Sequence, residues 1–266
     1  KFQKILIDTY KLRELSIESI LDFPVYKAKY SLFKNIFILP FGFNLDSESI
    51  ESFLNNHDWN YLCQIAESKG AIFNISSIGE LSLPNGLHIA NNPILDLNIF
   101  SYNKNVFSKS HRQNIRKEIN KKNKYGVELS ISKNLDDLRA FYNVLAKQYL
   151  NQHKMVFQPF SLLKRFLIAD MGEMYLAKYN RKVLGGIFCL KDYDCIHYNW
   201  GCRSSFYNMN IGTLVIDFAI KQSLSRGYRY FDFGSTPLSD ADLFKYKMKW
   251  GSENNKVMRY SSKHQN

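Results

Sequence analysis

The chain predicts an α/β fold in which a mixed, mostly antiparallel sheet is flanked by helices and built as two units in tandem. Three observations carry that expectation. Three consecutive strand-like runs, Met174 to Lys178, Val183 to Leu190 and Cys195 to Trp200, are joined by the hairpin-sized connections Tyr179-Asn180-Arg181-Lys182 and Lys191-Asp192-Tyr193-Asp194, which reads as an antiparallel meander. Helix-period segments precede and follow them. The pattern also changes at Ser108, where a run of Lys and Arg replaces short mixed segments, and this places a first unit at 1–107 and a second at 108–266.

In the first unit, Asp46-Ser47-Glu48-Ser49 opens a helix over Ile50 to Leu54, and Trp59, Leu62, Ile65 and Ala66 recur at helical spacing up to Gly70. Ala71 to Ile75 and Leu87 to Ile89 read as strands, separated by Leu83-Pro84-Asn85-Gly86. In the second unit a basic helix runs from Ser108 to Lys124, stops at Tyr125-Gly126 and feeds a strand from Val127 to Ile131. Leu135, Leu138, Phe141, Leu145 and Tyr149 then mark an amphipathic helix, and Leu162 to Ile168 another. After the meander, a loop from Gly201 to Asn210 leads to a helix over Gly212 to Leu224. A strand from Tyr228 to Phe233, a helix near Asp240 to Lys249 and a strand from Val257 to Ser261 follow.

Composition limits the function classes. With 45% hydrophobic and 15% aromatic residues, 266 residues bury enough apolar surface to fold. No apolar stretch approaches the roughly 20 residues of a membrane span, and the opening residues lack a signal-peptide pattern, so a cytoplasmic protein without stable membrane insertion is expected. Cys63, Cys189, Cys195 and Cys202 form no Cys-x-x-Cys pair; they read as reduced packing residues, and no metal site is expected. Lys and Arg outnumber Asp and Glu by 36 to 24, and the resulting charge of +12 favours polyanionic or phosphate-bearing ligands such as tRNA, coenzyme A or nucleotide sugars.

Several words resemble one family. Ser110-His111-Arg112-Gln113-Asn114-Ile115-Arg116-Lys117, Val183-Leu184-Gly185-Gly186, Tyr198-Asn199-Trp200-Gly201, Gly227-Tyr228-Arg229-Tyr230-Phe231-Asp232-Phe233-Gly234, and Leu243 with Tyr246-Lys247 and Trp250-Gly251 stand in that order. Together they resemble the FemAB-like branch of the GNAT acyltransferases, also called BioF2-like or peptidoglycan-bridge-type. A meander followed by a loop, a helix and one more strand is the order of the acyl-donor half of that fold. The resemblance implies tandem GNAT-like units, a degenerate acceptor-side unit over 1–107 and an acyl-donor unit over 108–266.

It also implies an N-acyltransferase. In that fold a splayed strand, here Cys195 to Gly201, offers backbone N–H groups to the acyl carbonyl, and the next helix start binds pyrophosphate. The implied donor contacts are Trp200, Asn210, Gly212, Thr213 and Lys247, with Tyr198 and Trp200 alternating onto one face of the strand. Asp232 and Tyr198 are the implied catalytic residues, Asp232 either receiving the acceptor amine or anchoring the loop that follows it. Arg112 and Arg116, four apart on the basic helix, suit an acceptor diphosphate. The helix start lacks the Arg/Gln-x-x-Gly-x-Gly/Ala word of ordinary GNAT enzymes. The expected co-substrates are acyl-coenzyme A and a nucleotide-linked amino sugar for surface polysaccharide such as O-antigen in the cell envelope. The alternatives are transfer from aminoacyl-tRNA to a peptidoglycan precursor, and a non-catalytic module that binds RNA or a membrane.

Overall fold

The structure is a computed structural model that describes residues 86–98, 107–153 and 158–260, together with Gln64 and, as backbone alone, strands at 13–14, 26–31, 34–38 and 71–78 and residue 261. The helix expected at 50–54 and Cys63 lie outside the described residues, as does the helix expected at 59–66 apart from Gln64. In chain order the strands are β1 (Arg13–Glu14), β2 (Tyr26–Ser31), β3 (Lys34–Ile38), β4 (Ala71–Ile78), β5 (Leu87–Asp96), β6 (Glu128–Ser132), β7 (Gly172–Tyr179), β8 (Lys182–Lys191), β9 (Cys195–Arg203), β10 (Tyr230–Asp232), β11 (Thr236–Pro237) and β12 (Glu253–Ser261). The helices are α1 (Lys109–Tyr125), α2 (Leu135–Asn151), α3 (Phe160–Ile168), α4 (Ile211–Ser225) and α5 (Ala241–Met248).

Two compact units emerge. One comprises 1–92, 235–241 and 254–266, and the other 93–234 and 242–253. The break falls between Asn92 and Pro93, inside β5, and the last strand returns to the first unit. In that first unit β3 pairs parallel with β4, β12 antiparallel with β4, and β11 antiparallel with the first half of β5.

The second unit holds the expected meander. β6, β7, β8 and β9 pair antiparallel in sequence, β10 runs parallel to β9, and β10 pairs antiparallel with the second half of β5. The β7–β8 turn is tight because Asn180 and Arg181 both take left-handed backbone angles, φ 46° and 64°, which match the twist of the flanking strands. One face of the sheet, with Tyr175, Ala177, Ile187 and Cys189, packs on Ile211, Leu214 and Val215 of α4 and Ile115 of α1. The other face meets α2 and α3; there Cys202 donates its thiol to the Phe141 carbonyl at 3.5 Å. Cys189, Cys195 and Cys202 are buried free thiols, and burial raises the pKa of each, that of Cys202 to about 12, so they stay protonated.

Both helices that border the site are fixed at their ends. Ser108 caps α1 by accepting the His111 N–H at 3.2 Å, and Gly126, at φ 67°, closes it. At the far end of α4, Arg226 grips the buried Glu173 of β7 through both carboxylate oxygens, at 2.5 and 3.1 Å, and Tyr175 donates to the same carboxylate at 2.6 Å.

His111 sits inside the core, edge-on to Phe107 at 5.3 Å and Trp250 at 4.6 Å. Burial lowers its pKa below 6.5, the Lys249 charge adds to the effect, and Asp217 opposes it. The unfolded chain therefore takes up this proton before the folded one does, so His111 contributes stability above about pH 6.5 that is lost as the pH falls below it. Urea denaturation between pH 7.5 and 5 should show stability falling with pH. The fall should be smaller in His111→Phe; an identical profile in the variant would show that the histidine carries no linked proton.

Candidate active site

β9 and β10 pair only through Cys195, Ile196 and His197 opposite Tyr230, Phe231 and Asp232. Beyond His197, β9 continues to Arg203 against β8 alone, so its other edge is open to a ligand. The parting is pinned from both strands. Asp232 is buried, accepts from Gly234 N–H at 2.8 Å through Oδ1, and meets His197 Nδ1 at 3.0 Å through Oδ2. Lys247, also buried, donates to the Gly234 carbonyl at 2.8 Å. Gly234 has φ 72°, and a Cβ there would stand 2.9 Å from the Tyr198 carbonyl oxygen, so the turn admits no other residue without strain.

A bulge sits beside the parting. Phe188 faces Trp200 and the next residue, Cys189, faces Tyr198, leaving Asn199 as the extra residue. Because Phe188 and Cys189 point to opposite faces, Tyr198 and Trp200 do so as well, which overturns the simple alternation expected from sequence. Trp200 packs on Phe188, ring centroids 5.6 Å apart. Tyr198 turns toward α4, and its ring lies over Gly201 so closely that a Cβ on that glycine would be 2.1 Å from the phenol oxygen.

Tyr198 thereby helps to line a cleft of about 730 Å³, bounded by the end of β9, the turn before α4, the first turns of α4, Leu243 and Tyr246 of α5, and Gln148 and Gln152 of α2. Its described lining contains one charged residue, Arg203, and no carboxylate. The Tyr246 hydroxyl is 3.4 Å from Thr213 Oγ1. Burial raises the pKa of both phenols, with Thr213 and Trp250 opposing at Tyr246 and Arg203 opposing at both, so each is a neutral donor.

The start of α4 is heavily committed. Asn210 caps it, accepting from Thr213 N–H at 3.1 Å, while its own N–H donates to Glu118 Oε2 of α1 at 2.8 Å. Ile211 N–H bonds the Met209 carbonyl. Lys121 ties the same region to α1, donating to Glu118 at 2.9 Å and to the Asn208 carbonyl at 2.6 Å. A Cβ on Gly212 would meet only ordinary contacts, the nearest Asn210 Oδ1 at 3.5 Å and Arg203 Nη1 at 3.9 Å.

Of the residues singled out by sequence, Tyr198, Asn210 and Gly212 line the cleft, Thr213 lies buried beneath Tyr246, and Trp200, Asp232 and Lys247 are not among the lining residues. Arg112 and Arg116 lie on α1, outside that lining; Arg116 borders an exposed groove with Gln113, Lys117, Asn120, Lys121 and Lys124. Arg203, Tyr246 and Glu118 were missed. Tyr246 and Arg203 had a signal, since each lies in or just after a family-like word, whereas Glu118 reaches Asn210 across 92 positions of sequence. Among the described residues no group of three His, Cys, Asp or Glu side chains is placed to hold a metal ion, and no helix is long and apolar enough to cross a membrane.

A meander, a parted parallel pair and a helix that starts beside the parting are the acyl-donor half of a GNAT fold. Residues 109–248, more than half of the chain, match the family model described as an acetyltransferase (GNAT) domain, and the chain belongs to that family; it is an acyltransferase. Its fold is similar to the C-terminal domain of a protein assigned as a lysylphosphatidylglycerol synthetase from Agrobacterium fabrum, with TM-score 0.67, 11% identity, 99% of this chain and 88% of that one. It is also similar to L-PGS from Bacillus licheniformis, with TM-score 0.65, 14% identity, 99% and 92% coverage, and to FemX, with TM-score 0.64, 14% identity, 90% and 84%. No curated protein sequence matches the chain.

Two glycines of the cleft should separate packing from binding. Gly201→Ala should lower stability by about 1–3 kcal/mol, because the Tyr198 ring has to move. Gly212→Ala should change it by less than about 0.5 kcal/mol while weakening donor binding, since the added methyl enters the cleft. Chemical denaturation and calorimetry check both, and a stable Gly201→Ala protein would contradict the seating of Tyr198.

Proposed function

We propose that this chain is an N-acyltransferase that takes an uncharged acyl group from a pantetheine thioester, as in acyl-coenzyme A, and passes it to an amine such as that of a nucleotide-linked amino sugar for surface polysaccharide. The observation that carries the reading is the cleft beside the open edge of β9, whose described lining is apolar and neutral polar apart from Arg203 and includes no carboxylate. An aminoacyl donor brings an ammonium group, whose burial without a carboxylate partner is costly. That disfavours the aminoacyl-tRNA alternative, although the lysylphosphatidylglycerol synthetase neighbours are named for aminoacyl chemistry.

In this reading the amine attacks the thioester carbonyl, a C–N bond forms, the C–S bond breaks and the sulfur leaves as a thiol. Backbone N–H groups on the open edge of β9 receive the developing oxyanion, where fixed dipoles are most effective. Tyr246, neutral in the cleft beside Tyr198, supplies the proton to the departing sulfur, and the amine's proton leaves to solvent. Amine-dependent thiol release from an acyl thioester tests the reaction. Tyr246→Phe should lower kcat about 100-fold or more with Tm unchanged; thiol release from no thioester with any amine, alongside transfer from a charged tRNA, would overturn the reading.

Asp232 acts as a positioning residue. Its partners are His197 and Gly234 N–H, both at the point where β9 and β10 part. Asp232→Asn keeps the shape and removes the charge, so it should cost about 1–3 kcal/mol of stability, with turnover reduced only as far as the folded fraction and the opening are disturbed. A stably folded Asp232→Asn protein that has lost about 100-fold in kcat would instead make the carboxylate the base that takes the amine's proton.

A further inference from the structure

We infer that the pantetheine arm is delivered to the cleft by an acidic carrier protein that docks on α1, in preference to coenzyme A. The inference rests on the thioester reading above and adds the partner.

The first support is the face of α1. Arg116, Lys117 and Lys124 line an exposed groove of about 510 Å³ with Gln113, Asn120 and Lys121. Arg116 and Lys117 take part in no ion pair among the described residues. The helix holds one acidic residue, Glu118, and that side chain is turned inward to Lys121 and Asn210. The outward face is therefore positive without internal neutralisation, as an acidic protein surface requires.

The second is the path from that face to the cleft. Lys121 borders the groove and bonds the carbonyl of Asn208, which lines the cleft, at 2.6 Å. Tyr125, at the end of α1, stacks on Tyr207 of the same turn, centroids 4.4 Å apart. A partner seated on α1 stands at the rim of the donor cleft.

The third is the charge the cleft accepts. A phosphopantetheine attached to a carrier serine bears one phosphodiester charge, whereas coenzyme A brings a diphosphate and a further phosphate. Beside the α4 start the cleft offers one cation, Arg203, and the backbone of Gly212, while Glu118 already holds the Asn210 N–H with its carboxylate. One phosphate matches Arg203; a second would find no further cation in the described lining of the cleft. RNA is also a polyanion suited to a basic face, but its aminoacyl end meets no carboxylate among the described residues that line the cleft.

The test is calorimetric. The same acetyl group is presented on pantetheine, on coenzyme A and on the phosphopantetheine of an acidic acyl carrier protein, at about 50 and 300 mM salt, with a lysyl-tRNA as the fourth ligand. The carrier-borne donor should bind at least about tenfold more tightly than acetyl-coenzyme A at low salt and lose that advantage at high salt, where surface charges are screened. Arg116→Glu with Lys117→Glu should remove the advantage while acetyl-pantetheine binds as before, which also shows that the variant is folded. Equal binding of carrier and coenzyme A, or a carrier advantage that survives the charge reversal, would overturn the inference while leaving the thioester reading intact. Binding of the tRNA alone would overturn both.

Discussion

The site depends on two parallel strands that pair for three residues and then separate. Parting a sheet exposes backbone donors and acceptors, and such groups are costly to leave buried and unpaired. Here the separation is stabilised by Asp232, which meets His197 on one strand and Gly234 N–H at the end of the other, and by Lys247 on the Gly234 carbonyl. The edge of β9 beyond His197 then becomes a row of groups available to a bound acyl carbonyl, and Gly201 leaves the space that the Tyr198 ring occupies. Buried charges that would be a liability elsewhere have a purpose here, because they hold open what pairing would close.

Much of the second unit was legible because its signals are local. The Asn180-Arg181 turn, the Ser108 and Asn210 caps and the Gly126 and Gly227 stops each act within a few residues. The helices and the first two strands of the meander followed within two residues from hydrophobic period and turn residues, while the third strand, expected to end at Trp200, runs on to Arg203. The Asn199 bulge was not legible: nothing in Tyr-Asn-Trp-Gly marks the extra residue, and only pairing with β8 reveals it. That one residue sends Tyr198 to the cleft and Trp200 to the opposite face. Lys247 shows the same limit, since a lysine in a family-like word reads as a ligand contact, while its ammonium lies buried on a carbonyl of its own unit.

Electrostatics separate this cleft from a general anion site. The α4 start carries the partial positive charge of a helix end, but Asn210, Glu118 and Met209 use much of its hydrogen-bonding capacity. What remains in the described lining is a single cation among neutral groups, next to a helix whose outward face is positive. Where the Arg/Gln-x-x-Gly-x-Gly/Ala word is missing, the Asn210 N–H is held by Glu118.

The most direct measurement is a crystal structure with an amide analogue of acetyl-pantetheine, in which the sulfur is replaced by nitrogen so that the acyl group stays in place. The account predicts the carbonyl oxygen within hydrogen-bonding distance of the open edge of β9 near Tyr198, with the arm running past Gly201 toward Arg203. An arm bound anywhere else, or a carbonyl turned away from β9, would contradict it.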